Sequence, residues 1–156
     1  MSNKDNAGVL APPPLIFGAV FVAGLGLDSL VSSSRLDGHT FLRMAVALFL
    51  GLVGAALGVS AVLAFRKAGT NVLPERPSIA ITTQGAYRFT RNPMYLGLSC
   101  LYAAAALVIA KPMTLIILPV AMLIVHHGVV LREERYLEAK FGETYGAYRQ
   151  RVRRWL

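Results

Sequence analysis

The apolar stretch MYLGLSCLYAAAALVIAKPMTLIILPVAMLIVHHGVVL, from Met94 to Leu131, decides the fold. Lys111 and Pro112 divide it into two apolar segments, 94–110 and 113–131. Each segment has about the length that crosses ~30 Å of hydrocarbon as a helix, and a helix satisfies the backbone hydrogen bonds that lipid cannot. Because only two residues separate the segments, the sequence predicts a tight helical hairpin.

Two further apolar segments, 15–31 and 44–65, precede this hairpin. The 156-residue chain is 55% hydrophobic and 15% charged, whereas a soluble domain carries nearer a quarter of charged residues. The sequence therefore predicts a single all-α domain over 1–156. The predicted domain is a polytopic membrane helical bundle with four transmembrane helices, a loop at 66–92 and a C-terminal helical tail at 132–156.

The distribution of basic residues predicts how the chain lies in the membrane. With four spans, the loop, the tail and both termini share one side, which carries Lys4, five basic residues of the loop and seven of the tail. The other side carries Arg35, Arg43 and Lys111. The positive-inside rule makes the loop, the tail and both termini cytoplasmic, and we expect a bacterial inner membrane. The net charge of +8 thus indicates basic flanks beside lipid, with no nucleic-acid partner.

A polar stretch, RFTRNPMYLG at 88–97, stands directly before the hairpin. Pro93 suits the first turn of a helix, because its missing N–H would be unpaired there anyway, and Asn92 is then the expected N-cap. Arg91 and Tyr95 are four residues apart and can share a face. The stretch is explained either by a capped helix with a snorkelling arginine or by half of a binding site.

A second polar stretch, HHGVVLREER at 126–135, ends the hairpin. A spacing of seven puts His126 with Glu133, and His127 with Glu134, on nearly common helix faces. Ionisable residues inside a membrane segment suggest a functional site. The alternative is that neighbours or water satisfy the histidines and that the glutamates pair with adjacent arginines. The sequence has no HExxH motif and no repeated histidine box, so we predict no metal site.

The two stretches together resemble a known superfamily. GTNVLPERPSIAITTQGAYRFTRNPMYLG at 69–97, followed by EERYLEAKFGETYGAYRQRVRRW at 133–155, is similar to the isoprenylcysteine carboxyl methyltransferases and phospholipid methyltransferases. Their pattern is Gly-x-Tyr, then Arg-His/Asn-Pro-x-Tyr-x-Gly, then Glu-Glu and a Phe-Gly-x-x-Tyr-x-x-Tyr tail. The resemblance implies an integral membrane methyltransferase that uses S-adenosylmethionine.

The resemblance also implies where the cofactor binds, at the cytoplasmic boundary between the loop, the start of the third span and the tail. A guanidinium such as Arg91 suits the cofactor carboxylate. Glu133 or Glu134 suits its ammonium or ribose hydroxyls, and Tyr87 or Tyr95 suits its adenine or sulfonium. The implied cofactor-binding residues are Ile79, Ala80, Ile81, Thr82, Tyr87, Arg91, Asn92, Pro93, Met94, Tyr95, Glu133 and Glu134.

The expected partner is a lipid or lipid-modified acceptor at the cytoplasmic membrane face. Carboxyl O-methylation of an isoprenylcysteine-like acceptor is the first candidate, and N-methylation of a phospholipid amine is the alternative. A carboxylate needs no general base, whereas an amine or thiol must first lose a proton, to His126, His127 or a glutamate. The candidate catalytic residues are Arg91, His127, Arg132 and Glu134. A non-enzymatic membrane lipid-binding protein would explain the basic flanks but not this combination of residues.

Overall fold

A computed structural model describes residues 6–31, 36, 39–71 and 77–156, and all regular structure within them is helical. The four helices are α1 (Pro13–Leu30), α2 (Thr40–Lys67), α3 (Pro93–Val108) and α4 (Pro112–Arg151). A 3-10 turn, Gly85–Arg88, lies between α2 and α3. The predicted all-α membrane bundle is confirmed. Lys4, Arg35 and Arg76, which enter the charge count, lie outside the described residues, and the orientation in the membrane stays a prediction.

Three of the helices in the described part of the chain, α1, α2 and α4, are long and apolar enough to cross a membrane. The fourth, α3, is apolar but has 16 residues. Helix α2 begins earlier than the predicted span at 44–65 and includes Arg43. The Arg43 guanidinium donates to the carbonyl oxygens of Leu107 and Val108 at the end of α3. Arg43 thus supplies a hydrogen-bond donor to carbonyl groups at the end of the neighbouring helix, where carbonyls lack partners within their own helix.

The predicted fourth span and the predicted tail form one interrupted helix, α4. Its α-helical pieces are Pro112–Ile116, Leu118–Val125 and Leu131–Arg151, with a π-helical turn at His126–Val130. Gly142 has a φ of +49°, which glycine adopts without steric penalty. Because α4 continues past the apolar segment, Glu133 and Glu134 lie in the same helix, within one turn after Leu131.

Helix α3 is the centre of the packing, with α2 on one side and α1 and α4 on the other. At the α2–α3 contact, a Cβ atom added to Gly54 would lie 2.8 Å from the carbonyl oxygen of Gly97. Glycine at this position lets the two backbones approach closely. On the other side, Phe17 of α1, Tyr102 of α3 and Val125 of α4 belong to one buried apolar cluster.

Candidate functional site

A pocket opens at the end of the bundle where α2 ends and α3 begins. The loop before α3, the start of α3 and the polar half of α4 form its walls. All the cofactor-binding residues implied by the resemblance line this pocket, except Ile79 and Pro93.

The structure does not bring every candidate residue to the pocket. Ile79 has an exposed side chain, and Pro93 is buried in the first turn of α3. Of the candidate catalytic residues, Arg91 and Glu134 line the pocket, but His127 and Arg132 do not. The His127 ring packs edge-on against His126, and Arg132 donates to the carbonyl oxygen of Gly8 at 2.7 Å.

A cluster of two arginines and one glutamate lies at one side of the pocket, and Arg91 and Glu134 of this cluster line it. Arg91 Nη1 lies 2.8 Å from Glu134 Oε1, and the two side chains are only 9% and 11% exposed. Arg154 binds the same carboxylate through two bonds, from Nε to Oε1 at 2.9 Å and from Nη2 to Oε2 at 2.8 Å. Two guanidiniums around one carboxylate leave one net positive charge beside the pocket.

Arg91 also keeps an unfilled donor. Its Nη1 donates to the Tyr145 hydroxyl at 3.3 Å in addition to Glu134. Its Nε is buried and has no hydrogen-bond partner among the residues that the structure describes. Since a buried N–H without a partner costs free energy, an anion that entered the pocket and accepted this hydrogen bond would be stabilised.

Glu133 forms the negative side of the pocket. The Tyr95 hydroxyl donates to its carboxylate, at 2.8 and 2.9 Å from the two oxygens. No lysine or arginine of the described chain pairs with Glu133. The predicted alternative, in which adjacent arginines neutralise the glutamates, is therefore wrong: Arg132 and Arg135 both donate to main-chain oxygens.

Aromatic side chains complete the pocket. Tyr87 in the 3-10 turn packs edge-on against Phe65 of α2, with ring centroids 5.4 Å apart. Tyr148 donates to the Tyr87 carbonyl oxygen at 2.9 Å. Burial raises the pKa of the Tyr87 phenol above its ordinary value, and the Glu133 carboxylate raises it further. The phenol therefore remains protonated at neutral pH and can donate a hydrogen bond to a ligand.

The main chain of the loop beside the pocket is held by side chains of the surrounding elements. The Thr70 hydroxyl oxygen accepts hydrogen bonds from the N–H groups of Ile79, at 2.8 Å, and Ala80, at 3.3 Å. The Thr82 hydroxyl donates to the carbonyl oxygen of Ala64 in α2. Ile79 thus contributes to the site by anchoring the loop through its backbone.

Asn92 has its predicted position but makes a different side-chain contact. It occupies the N-cap position of α3, but its side chain makes no capping bond. Its amide Nδ2 instead donates to the Arg154 carbonyl oxygen at 2.9 Å, which also accepts a bond from the Thr90 hydroxyl. The Arg91 N–H donates to the Arg153 carbonyl oxygen at 2.9 Å. The predicted N-cap position is therefore confirmed, while the side-chain amide binds the end of the chain, which returns to this motif.

Sequence reasoning did not find Arg154, Tyr145 or Tyr148 as site residues. Both tyrosines belong to the Tyr-x-x-Tyr pattern of the tail, which could have indicated them. No motif singles out Arg154, since several arginines stand near it. Among residues 6–31, 36, 39–71 and 77–156, no group of three His, Cys, Asp or Glu side chains could hold a metal ion.

Comparisons with known proteins give the family to which the chain is similar. The model of the phospholipid methyltransferase family matches residues 42–144. A protein of Haemophilus influenzae described as uncharacterized is 38% identical over 63 residues, which are 40% of this chain and the whole of that protein. No solved structure matches the chain significantly. The family match includes both polar stretches of the pocket and ends before Tyr145.

Proposed function

Because the chain belongs to the phospholipid methyltransferase family, we propose that it transfers a methyl group from S-adenosylmethionine to a hydrophobic or lipid-like acceptor at the membrane surface. The family and the three long apolar helices make it a membrane methyltransferase, and methyltransferases of this family generally use S-adenosylmethionine. The observation that carries the proposal is the pairing, in one pocket, of the unneutralised Glu133 carboxylate with the positive cluster around Arg91.

The residues of the pocket fit this cofactor. Its amino-acid part carries a carboxylate and an ammonium group, and the pocket offers a partner for each. Arg91 would hold the carboxylate, since its Nε is an unfilled donor within a cluster of net positive charge. Glu133 would hold the ammonium group. The aromatic rings of Phe65, Tyr87 and Tyr148 offer faces and edges against which an adenine ring can pack.

When bound, the cofactor supplies an electrophilic methyl group for an in-line displacement. The chain itself needs to orient the reactants and exclude water. Tyr95 fixes the Glu133 carboxylate through its hydroxyl, and Thr70 holds the loop over the same pocket. These contacts pre-arrange polar groups, which lowers the entropy that binding must overcome.

We propose a carboxylate as the first candidate acceptor, as in the isoprenylcysteine carboxyl methyltransferases. A carboxylate is already ionised at neutral pH and needs no base, and neither His126 nor His127 lines the pocket. The alternative is a phospholipid amine, which the matched family favours. In that reaction the amine would first have to lose a proton to a base, which a carboxylate acceptor does not require.

We also propose that the pocket faces the cytoplasm of a bacterial cell. The cofactor is made there, and the basic residues Arg66, Lys67 and Arg88 lie at the pocket end of the bundle. An apolar acceptor would enter from the bilayer, while the cofactor would enter from the water.

Calorimetric titration of the detergent-purified protein with S-adenosylhomocysteine tests the cofactor. We expect saturable binding, which Arg91→Ala should weaken strongly. Arg149→Ala, which removes an exposed surface pair with Glu138, is the matched control. If protein with intact helicity by circular dichroism binds none of this ligand, the proposed function is wrong.

Transfer of labelled methyl groups into a membrane lipid extract tests the acceptor. A methyl ester releases labelled methanol on treatment with alkali, whereas an N-methyl group stays on the non-volatile head group. Volatile label therefore supports the carboxylate, and non-volatile label supports the amine. Absence of transfer to any extract, with cofactor bound, would contradict the enzymatic function.

A further inference from the structure

The two adjacent glutamates of the pocket have different environments. Glu134 binds three nitrogen atoms from two guanidiniums, while Glu133 binds one hydroxyl group. An ammonium group that approached Glu134 would have to compete with two arginines already bound to it. The carboxylate of Glu133 is therefore the one available to a cationic ligand, and Glu134 serves another purpose.

The role of Glu134 is indicated by Arg154, which binds its carboxylate from outside the pocket. Arg154 does not line the pocket, and it lies ten residues beyond the family match, which ends at 144. Its side chain nevertheless binds Glu134 through both a Nε and a Nη2 donor, the geometry in which a guanidinium orients a carboxylate most strongly. Its carbonyl oxygen is held by Thr90 and Asn92, so the backbone of Arg154 is fixed to the same motif that carries Arg91.

We propose that Arg154 is a positioning residue for the cofactor's amino-acid part, acting through Glu134 on Arg91. The inference rests on the proposed function. Arg154 holds the Glu134 carboxylate, and Glu134 holds Nη1 of Arg91 while leaving the Arg91 Nε–H for an incoming carboxylate.

Arg154 also determines the charge of this cluster. With Arg154 present, two guanidiniums face one carboxylate and the cluster carries one net positive charge. Without it, Arg91 and Glu134 neutralise each other as a pair, and the attraction for an anionic group falls. Removal of Arg154 should therefore weaken the binding of ligands that carry a carboxylate and leave the binding of ligands without one unchanged.

Two ligands separate this role from a general structural one. S-adenosylhomocysteine carries the amino-acid part, and 5′-methylthioadenosine lacks it but keeps the adenine, ribose and sulfur. We expect Arg154→Ala to weaken binding of S-adenosylhomocysteine about 10- to 100-fold, the range for loss of charge-assisted bonds. Binding of 5′-methylthioadenosine should change less than about twofold. Arg154→Lys keeps the charge but not the two-bond geometry, so it should restore part of the lost affinity.

The outcomes distinguish this inference from the function on which it rests. Equal weakening of both ligands by Arg154→Ala would mean that the residue merely maintains the pocket, and the inference would be wrong. Unchanged binding of both ligands would also overturn it. Arg149→Ala, on the exposed surface of α4, the helix that carries Glu134, should affect neither ligand. In either of those two Arg154→Ala cases, wild-type protein that binds S-adenosylhomocysteine still supports the proposed function; folded wild-type protein that does not bind it overturns the proposed function and the inference together.

Discussion

The two ends of the helical bundle use charged side chains in different ways. At the end away from the pocket, Asp28 of α1 is 2% exposed and accepts three hydrogen bonds at the start of α4. The donors are the N–H of Met113 at 3.1 Å, the N–H of Thr114 at 3.0 Å and the Thr114 hydroxyl at 2.7 Å. Because a helix start leaves N–H groups without partners, Asp28 acts as a cap supplied by a neighbouring helix.

At the pocket end, Glu133 accepts a hydrogen bond from one hydroxyl group and lines the pocket. The arginines give a finer comparison. Arg43 and Arg91 each have a buried Nε without a partner in the described chain, yet only Arg91 lines the pocket. An unfilled donor therefore does not identify a ligand site by itself. A binding site is indicated where an unfilled cationic donor and an unneutralised carboxylate line the same pocket. Charged side chains that bind helix ends instead stabilise the fold.

Replacing Asp28 should have the largest effect on stability. Asp28→Ala removes the acceptor of the buried Thr114 N–H and of the half-buried Met113 N–H, for which lipid offers no substitute. We expect the free energy of unfolding to fall by about 3 kcal/mol, from the loss of hydrogen bonds to a charged group. Denaturant titration in detergent micelles measures this. S-adenosylhomocysteine affinity, measured at low temperature where the variant is folded, should stay unchanged, and a loss of affinity alone would contradict the comparison.

Replacing Glu133 should have the opposite pattern. Glu133→Gln keeps the shape and an acceptor for Tyr95 but removes the negative charge. We expect S-adenosylhomocysteine to bind about 10- to 30-fold more weakly, as for loss of one charge-assisted bond, with the unfolding midpoint nearly unchanged. Calorimetry and denaturation of the same preparation check both. Asp28→Asn is the matched change at the other end, and an equal loss of affinity there would remove the distinction between the two carboxylates.

The sequence could predict those pocket residues whose positions follow from the 88–97 stretch and from the helical hairpin after it. Arg91 and Tyr95 are close in sequence, and the length of the hairpin returns Glu133 to the same end of the bundle. The spacing of seven that linked the histidines to the glutamates assumed a regular α-helix. The π-helical turn at His126–Val130 adds about one residue and rotates the remainder of α4 by about 100°. His127 is therefore not on the face that carries the pocket.

Other features depend on contacts that no local pattern encodes. Helix α4 continues beyond the apolar segment because no proline or glycine interrupts 129–141, although the change in composition suggested a separate tail. Arg154 reaches Glu134 because the chain turns back after α4 ends at Arg151, where Val152 is extended. Asn92 then binds that returning segment. Asparagine keeps its preferred N-cap position here, and the local pattern does not show the tertiary contact that its amide makes.

A pair of tyrosines gives the smallest and most direct comparison of the two ends. Tyr95 donates to Glu133 in the pocket, and Tyr102, two turns along α3, donates to the Thr114 carbonyl oxygen at 2.8 Å at the far end. Replacing either by phenylalanine removes one hydroxyl and little else. We expect Tyr95→Phe to weaken S-adenosylhomocysteine about fivefold, because Glu133 loses its orienting donor, roughly the value of one hydrogen bond.

Tyr102→Phe should instead lower the free energy of unfolding by about 1 kcal/mol and leave the affinity unchanged, since its partner is main chain in a buried contact. Calorimetry and denaturation on both variants test this crossed pattern. If Tyr95→Phe, like Tyr102→Phe, lowered only the free energy of unfolding, the hydroxyl of Tyr95 would be one more structural contact of α3. Glu133 would then need no orienting partner to bind a cation, and the two ends of the bundle would use the tyrosine hydroxyl in the same way.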